Sequence, residues 1–192
     1  MVKLTGLKKI KTAVFISGTG SNLKNLIEFS KEKRSPITID LIISNTSQAK
    51  GLKLANRFSI KKKIFDYKNF KNTEKDITAL LKKEKIEFIC LAGFMKILSN
   101  DFIKKFNGKI VNIHPSLLPK YKGLNTHNRA IINKDKFSGC TVHYVTAKLD
   151  SGKIILQKKI KLLIKDNEVS LAKKVLVQEH KLYPAAIMKI FN

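Results

Sequence analysis

An asparagine and a histidine two residues apart stand at the end of a predicted buried strand, residues 110–114. Asn112 and His114 share one face of that strand, because alternate side chains of a strand point the same way. Pro115 favours an extended backbone at His114. An amide beside an imidazole could stabilise a developing oxyanion and handle a proton. The alternative is that the two side chains only cap the strand end, and their spacing does not choose between these interpretations.

A glycine-rich turn between a strand and a helix is the second candidate site. Residues 12–17 are continuously apolar and β-branched, which predicts a buried parallel strand, and a helical period follows the turn. Gly18 and Gly20 would allow close approach, and Ser21 and Asn22 could cap the helix or donate to an anion. The pattern is neither a dinucleotide fingerprint nor a Walker loop, so a single phosphate fits best. A tight turn with an ordinary helix cap explains the pattern equally well.

The elements that must position these residues alternate between strands and helices. Further apolar strands are predicted at residues 37–44, 63–65 and 88–92, with helical patterns between them. This order indicates right-handed βαβ units and an α/β fold with a doubly wound, mostly parallel sheet in three layers. Residues 139–145 alternate in polarity and predict an antiparallel edge strand, with residues 153–160 as its hairpin partner. Ligands of such sheets bind where the strands end.

Length and charge limit the function classes. With 192 residues the chain is long enough for one core, so we predict a single domain over residues 1–192. Its 39 Lys and Arg against 14 Asp and Glu give a formal net charge of +25, which would suit nucleic acid, a membrane surface or anionic substrates. The lysines are spread from Lys3 to Lys189 and form no single arm, which favours a diffuse bias over a nucleic-acid footprint.

The cysteines and the apolar runs predict a cytoplasmic protein. Cys90 and Cys140 lie within predicted strands without metal-ligand spacing, so we expect reduced core residues, no disulfide and no metal. Lysines interrupt residues 1–11, where a signal peptide would need an apolar core. The longest apolar run, residues 88–95, is too short to cross a bilayer.

Three motifs, taken in this order, resemble those of the phosphoribosylglycinamide formyltransferase (GAR transformylase) family. They are Ile-Ser-Gly-Thr-Gly-Ser-Asn-Leu at residues 16–23, Leu-Ala-Gly-Phe-Met-Lys-Ile-Leu at 91–98 and Asn-Ile-His-Pro-Ser-Leu-Leu-Pro-Lys-Tyr at 112–121. Residues 139–150 and 178–180 extend the resemblance to nearly the whole chain. Several formyltransferases share the third motif, whereas the first narrows the choice because it suits a substrate phosphate.

The resemblance implies formyl transfer from the co-substrate 10-formyltetrahydrofolate to the amine of glycinamide ribonucleotide (GAR), in de novo purine biosynthesis. It implies that Asn112, His114 and Asp150 are catalytic. Asn112 and a protonated His114 would stabilise the oxyanion at the formyl carbon. Asp150 would favour the charged imidazole and receive or relay the amine proton.

The resemblance also implies two binding regions. Gly20, Ser21 and Asn22 would hold the ribose phosphate, and Glu179 the sugar or amide end of GAR. Without the resemblance, Glu179 would be interpreted as a surface glutamate, and His143 is interpreted as structural. The residues implied for the folate are Met95, Lys96, Ile97, Leu98, Asn112, Thr146, Ala147, Lys148, Leu149 and Asp150.

Two other functions are compatible with parts of the sequence. A methionyl-tRNA formyltransferase would share the third motif, and the positive charge would suit tRNA. A basic nucleic-acid-binding protein without catalysis is the more remote alternative, because few aromatic residues interleave with the basic runs. We therefore expect small-molecule substrates, no membrane or nucleic-acid partner, and a monomer or weak homodimer.

Overall fold

The computed structural model of the chain describes residues 8–191. By the density of its internal contacts the chain divides into two compact units. Of the described residues, the first comprises those up to Lys96, Lys105–Lys109 and Phe191, and the second comprises Ile97–Lys104 and Ile110–Ile190. The single domain expected over residues 1–192 stays a prediction. Most of the segment at which no signal peptide is expected, namely residues 1–7, lies outside the described residues.

The first unit contains four parallel strands. Its elements are β1 (Ile10–Ile16), α1 (Ser21–Ser30), β2 (Ile37–Ser44), α2 (Leu52–Arg57), β3 (Lys61–Ile64), a 3-10 turn (Tyr67–Asn69), α3 (Phe70–Lys83) and β4 (Phe88–Leu91). β1 pairs with β2 on one side and β4 on the other, and β2 pairs with β3. The side chains from Ala13 to Ile16 are completely buried. A continuous apolar run is therefore the pattern that this position requires.

The second unit contains the antiparallel part of the sheet. Its elements are α4 (Asn100–Lys105), β5 (Lys109–His114), α5 (Thr126–Ile132), β6 (Phe137–Tyr144), β7 (Ile154–Lys161) and α6 (Glu168–Phe191). β6 pairs antiparallel with both β5 and β7, which confirms the predicted hairpin. The prediction that residues 139–145 form an edge strand is wrong, because β6 lies between two strands. The alternation of polar and apolar residues in β6 suggested one exposed face, but the polar side chains of Thr141 and His143 are buried.

The seven strands form one mixed sheet in the order β3-β2-β1-β4-β5-β6-β7, with helices on both sides. The predicted fold class, a mostly parallel doubly wound sheet with a C-terminal antiparallel hairpin, is confirmed. Cys90 and Cys140 are free thiols in the core, as expected. Within residues 8–191, no helix combines the length and the apolarity that crossing a membrane would require.

Candidate active site

Asn112, His114 and Asp150 come together in the second unit. Asn112 and His114 share one face of β5, and Asp150 lies in the connection between β6 and β7. Asp150 Oδ2 is 3.4 Å from His114 Nδ1, and Asp150 Oδ1 is 3.5 Å from Asn112 Nδ2. The side chains of His114 and Asp150 are only 7% and 8% exposed. These three residues thus form one buried polar cluster at the end of β5, here called the Asn-His-Asp cluster.

A backbone contact and an unusual conformation hold the carboxylate in place. The Gly123 N–H donates to Asp150 Oδ2 over 2.8 Å. Asp150 has φ 44°, in the left-handed region that aspartate and asparagine tolerate better than most residues. The loop after β5 and the turn after β6 therefore both position this carboxylate.

The contacts of His114 determine which ring nitrogen carries the proton. His114 Nε2 is 2.8 Å from the Tyr121 carbonyl oxygen, which can only accept, so Nε2 is protonated and donates. In the neutral ring, Nδ1 presents a lone pair toward Asp150. In the charged ring, Nδ1 carries a proton that can pair with the carboxylate. The cluster is thus built to accept a proton at His114 Nδ1.

Burial and charge act in opposite directions on the two ionisable groups. Burial lowers the pKa of His114, and the Tyr121 carbonyl and the Asp150 charge oppose this effect without reversing it. Burial alone would raise the pKa of Asp150. The Gly123 N–H and the nearby imidazoles of His143 and His114 outweigh burial, so the pKa of Asp150 is lowered. At neutral pH the carboxylate is therefore ionised and His114 is mainly neutral. Asp150 raises the pKa of the His114 imidazole, as expected of a nearby negative charge, but burial lowers that pKa by more.

His143, interpreted as structural from the sequence, lies within the cluster. It is the direct cross-strand partner of Asn112. Its Nδ1 is 2.9 Å from the Tyr144 carbonyl oxygen and must donate there. Its Nε2 then accepts from Asn112 Nδ2 at 3.3 Å, and it lies 3.6 Å from Asp150 Oδ1. His143 therefore orients the Asn112 amide, and only the register of β5 against β6 reveals this.

Hydrogen bonds to β6 fix the long loop after β5. Thr141 Oγ1 donates to the Ser116 carbonyl oxygen over 2.6 Å and accepts from the Leu118 N–H over 3.1 Å. The anchored residues directly precede the segment that supplies the Tyr121 carbonyl and the Gly123 N–H. The loop between β5 and α5 is thus an ordered part of the cluster's surroundings.

The glycine-rich turn of the first unit depends on a residue that sequence reasoning missed. Gly20 has φ 81°, and a Cβ there would lie 2.6 Å from Gly51 Cα. The Gly51 N–H donates to the Gly18 carbonyl oxygen over 3.0 Å. Close packing of two backbone segments, and not only ligand approach, therefore requires Gly20 and Gly51. Residues 31 positions apart in sequence carry no local signal of this contact.

The start of α1 lacks the side-chain cap that the sequence suggested. The helix begins at Ser21 after Gly20, and no side chain makes a capping hydrogen bond there. The first backbone N–H groups of a helix have no partner within the helix. The anion-binding role expected of Gly20, Ser21 and Asn22 stays a prediction.

The loops after β1 and β4 are tied together within the first unit. The Ser17 N–H donates to the Gly93 carbonyl oxygen over 3.0 Å, and Ser17 Oγ accepts from the Met95 N–H over 2.8 Å. The strand order reverses between β1 and β4, which is where open α/β sheets bind ligands. Met95 and Lys96, implied for folate binding, follow this point and are exposed.

The remaining folate and substrate residues lie in the second unit. Ile97 is exposed, but Leu98 is only 3% exposed, so its side chain packs in the core and only its backbone could meet a ligand. Glu179 is 7% exposed, so the surface interpretation of this residue is wrong. Burial and the charge of Glu179 raise the pKa of Cys140 to about 12. The exposed residues of the turn before Asp150 are Thr146, Ala147, Lys148 and Leu149.

A charged amide–imidazole–carboxylate cluster of this kind suits acyl-group chemistry. Among residues 8–191, no group of three or more His, Cys, Asp and Glu could hold a metal ion. A family model described as formyl transferase matches residues 10–187. The chain belongs to the formyl transferase family.

Relatives and solved structures narrow the resemblance. Phosphoribosylglycinamide formyltransferase of Haemophilus influenzae is 43% identical over 180 residues, which covers 92% of this chain and 85% of the relative. The human trifunctional purine biosynthetic protein adenosine-3 is 43% identical over 186 residues, covering 95% of this chain. The chain spans only 18% of the length of that relative. The crystal structure of phosphoribosylglycinamide formyltransferase from Brucella melitensis has a TM-score of 0.90 at 40% identity, covering 95% of this chain and 96% of the other. The resemblance to this family inferred from the motifs is confirmed.

Proposed function

We propose that this chain transfers the formyl group of 10-formyltetrahydrofolate to the amine of GAR, giving formyl-GAR in de novo purine biosynthesis. The observation that carries the proposal is the buried Asn-His-Asp cluster in a member of the formyl transferase family. The folate supplies the activated formyl group. We also propose that the enzyme is cytoplasmic, that its substrates are small molecules and that it has no nucleic-acid partner. The expected oligomeric state, a monomer or weak homodimer, stays a prediction.

Asn112 stabilises the negative charge that forms on the formyl oxygen. One hydrogen of its amide nitrogen goes to His143 Nε2 at 3.3 Å. The other is directed toward Asp150 Oδ1 at 3.5 Å, which is the outer limit of a hydrogen bond. This second hydrogen is therefore available to an oxyanion, which is a stronger acceptor. A donor aimed at developing charge in a buried site acts mainly on the transition state.

His114 and Asp150 handle the proton of the attacking amine. His114 is mainly neutral before reaction, with an acceptor at Nδ1. As the amine attacks the formyl carbon, its proton passes to this nitrogen, directly or through water. The imidazolium then pairs with Asp150 and lies beside the oxyanion. When the tetrahedral adduct collapses, His114 returns the proton to the departing folate nitrogen, which balances the reaction.

Separate groups would bind the two substrates. The uncapped start of α1 at Gly20, Ser21 and Asn22 would hold the ribose phosphate through backbone N–H groups and the helix dipole. Glu179 would hold the sugar or amide end of GAR. The donor's pterin needs apolar contact with a few polar partners. Met95, Ile97 and Leu149 are each exposed apolar side chains, so the chemistry of each fits this co-substrate.

A parallel assay of formyl transfer tests this proposal. The purified chain is given 10-formyltetrahydrofolate with either GAR or methionyl-tRNA, and the formylated product is measured. We expect turnover with GAR and none with the tRNA. Turnover with the tRNA alone would make the net charge of +25 a substrate-binding feature and refute the proposal. The proposal would also be refuted if neither GAR nor methionyl-tRNA were formylated.

A further inference from the structure

A cavity of about 620 Å³ lies in the first unit, and no residue of the Asn-His-Asp cluster lines it. Its wall includes Lys11 near the start of β1 and Glu87 immediately before β4. Lys11 lies six positions before Ser17, the residue that follows β1, which is roughly 20 Å at the rise of a β-strand. The cavity therefore opens at the amino ends of the parallel strands, whereas the glycine-rich turn follows a carboxyl end.

Five lysines line this cavity, against one carboxylate. They are Lys8, Lys11, Lys82, Lys85 and Lys105, and Glu87 is the carboxylate. Within residues 8–191, Lys8, Lys82 and Lys85 form no ion pair. Glu84 also interacts with Lys11, but its carboxylate is paired with Lys61 at 2.5 Å. The local surplus of positive charge is therefore left for a ligand.

Ordinary stabilisation of a helix end explains only part of this cluster. α3 ends at Lys83, and lysines near a helix C-terminus offset the negative end of its dipole. That accounts for Lys82 and Lys85. Lys105 likewise ends α4, whereas Lys8 precedes β1 and Lys11 lies within it, where this explanation does not apply.

Backbone contacts give the cavity a defined wall. The Glu87 N–H donates to the Lys11 carbonyl oxygen over 2.9 Å. A Cβ at Gly108 would lie 2.2 Å from the Glu87 carbonyl oxygen and 2.7 Å from Phe106 Cε1. The absence of a side chain at Gly108 thus lets two segments pack closely behind the cavity. These segments all belong to the first unit, so the packing within that unit forms the cavity.

The lining matches a small, phosphate-bearing organic molecule. The side chains of Leu81, Ile86 and Phe106 form an apolar part of the wall, and Thr78 and Asn107 add neutral polar groups. The volume falls within the range of small-molecule sites. Lysines bind phosphates as point charges. An apolar wall for a base and a cationic rim for phosphates are the two parts of a nucleotide site.

We propose that this cavity binds a nucleoside polyphosphate. A mononucleotide suits a half-open cavity of about 620 Å³ better than an extended nucleic acid strand does. The phosphate chain lies against the lysines, and the base lies against the apolar wall. This site is independent of the proposed formyl transfer, and it lies at the amino ends of β1 and β4, whereas the glycine-rich turn follows the carboxyl end of β1.

Calorimetric titration of the full chain with ATP tests the proposal. The test variant is Lys82→Glu with Lys85→Glu, and the matched control is Lys33→Glu with Lys165→Glu. Both pairs change the net charge equally, and all four side chains are exposed. We expect saturable ATP binding, weakened at least tenfold in the test variant and less than twofold in the control. Thermal unfolding of both variants shows whether either change disturbs the fold.

Amide chemical shifts locate the ligand, and three competitors define its class. ATP should shift the signals of Thr78 and Asn107, and adenosine should not compete. Shifts confined to residues 20–22 would overturn the proposal, as would equal losses in both variants or no saturable binding. Tripolyphosphate binding as tightly as ATP would overturn the assignment to a nucleotide. The assignment would also be overturned if an RNA oligonucleotide displaced ATP at a concentration below that of the ATP.

Discussion

Replacing Asp150 by asparagine removes a charge from the Asn-His-Asp cluster and little else. Asn has the shape of Asp and tolerates the φ of 44° at this position at least as well. Its side-chain oxygen can still accept from the Gly123 N–H, which donates over 2.8 Å in the native chain. Asp150→Asn should therefore fold normally, so that a change in rate reports on the charge.

The geometry sets the size of the expected effect. Opposite charges at the 3.4 Å between His114 Nδ1 and Asp150 Oδ2 attract by about 5 kcal/mol at an effective dielectric constant of about 20. Both side chains are more than nine-tenths buried, so solvent screens this attraction little. If half or more of the attraction develops as His114 takes the amine proton, its loss slows kcat by roughly 10²- to 10³-fold.

Steady-state kinetics of formyl-GAR production would measure this loss. Asp166→Asn is the matched control, because Asp166 is also a buried, ion-paired carboxylate, with Oδ1 2.6 Å from Lys174 Nζ. It lies before α6 and contacts no member of the cluster, so kcat should stay within twofold. A native-like kcat for Asp150→Asn would show that no charge develops on His114 in the rate-limiting step.

The same variant changes the titration of His114. Asp150 raises the pKa of His114 against the larger lowering effect of burial. Without that charge the pKa should fall further, as measured by NMR of the imidazole. Because the folded state binds this proton less readily than the unfolded state, the protein loses stability as pH falls through the ordinary histidine value of about 6.5. An unchanged or higher pKa in Asp150→Asn would contradict the proposed pairing.

Four further predictions concern single positions. Asn112→Ala should lower kcat roughly 10²- to 10³-fold with little change in KM, and a loss confined to KM would remove its role as oxyanion donor. His143→Phe should lower kcat about tenfold in the native background and not in Asn112→Ala, because it acts by positioning that amide; equal effects in both backgrounds would refute this role. Gly20→Ala should destabilise the fold by at least about 1 kcal/mol in denaturant titration, since its Cβ would meet Gly51 and φ is positive; native stability would show that the turn adjusts freely. The pKa of Asp166 is lowered to about 2, so its stabilising effect is present above pH 4 and is lost as pH falls through about 2; a stability difference from Asp166→Asn that persists below pH 2 would contradict this.

Local patterns in the sequence determined the fold class and part of the site. Continuous apolar runs mark strands buried on both faces, and a helical period after a glycine turn marks α1. Alternation within one strand was sufficient to place Asn112 and His114 on one face, because side-chain direction in a strand depends only on neighbouring residues. The family motifs then added Asp150, which no local pattern distinguishes from a turn residue.

Only the tertiary structure decided the contacts between distant parts of the chain. The register of β5 against β6 places His143 on Asn112, and the packing of Gly20 on Gly51 shapes the glycine-rich turn. Pairing with β5 on one side and β7 on the other makes β6 an interior strand despite its alternating polarity. Lysines that the sequence spreads along the chain meet in one cavity because strand starts and a helix end converge there. Such contacts depend on how elements pack in three dimensions, and periodicity along the chain carries no information about that packing.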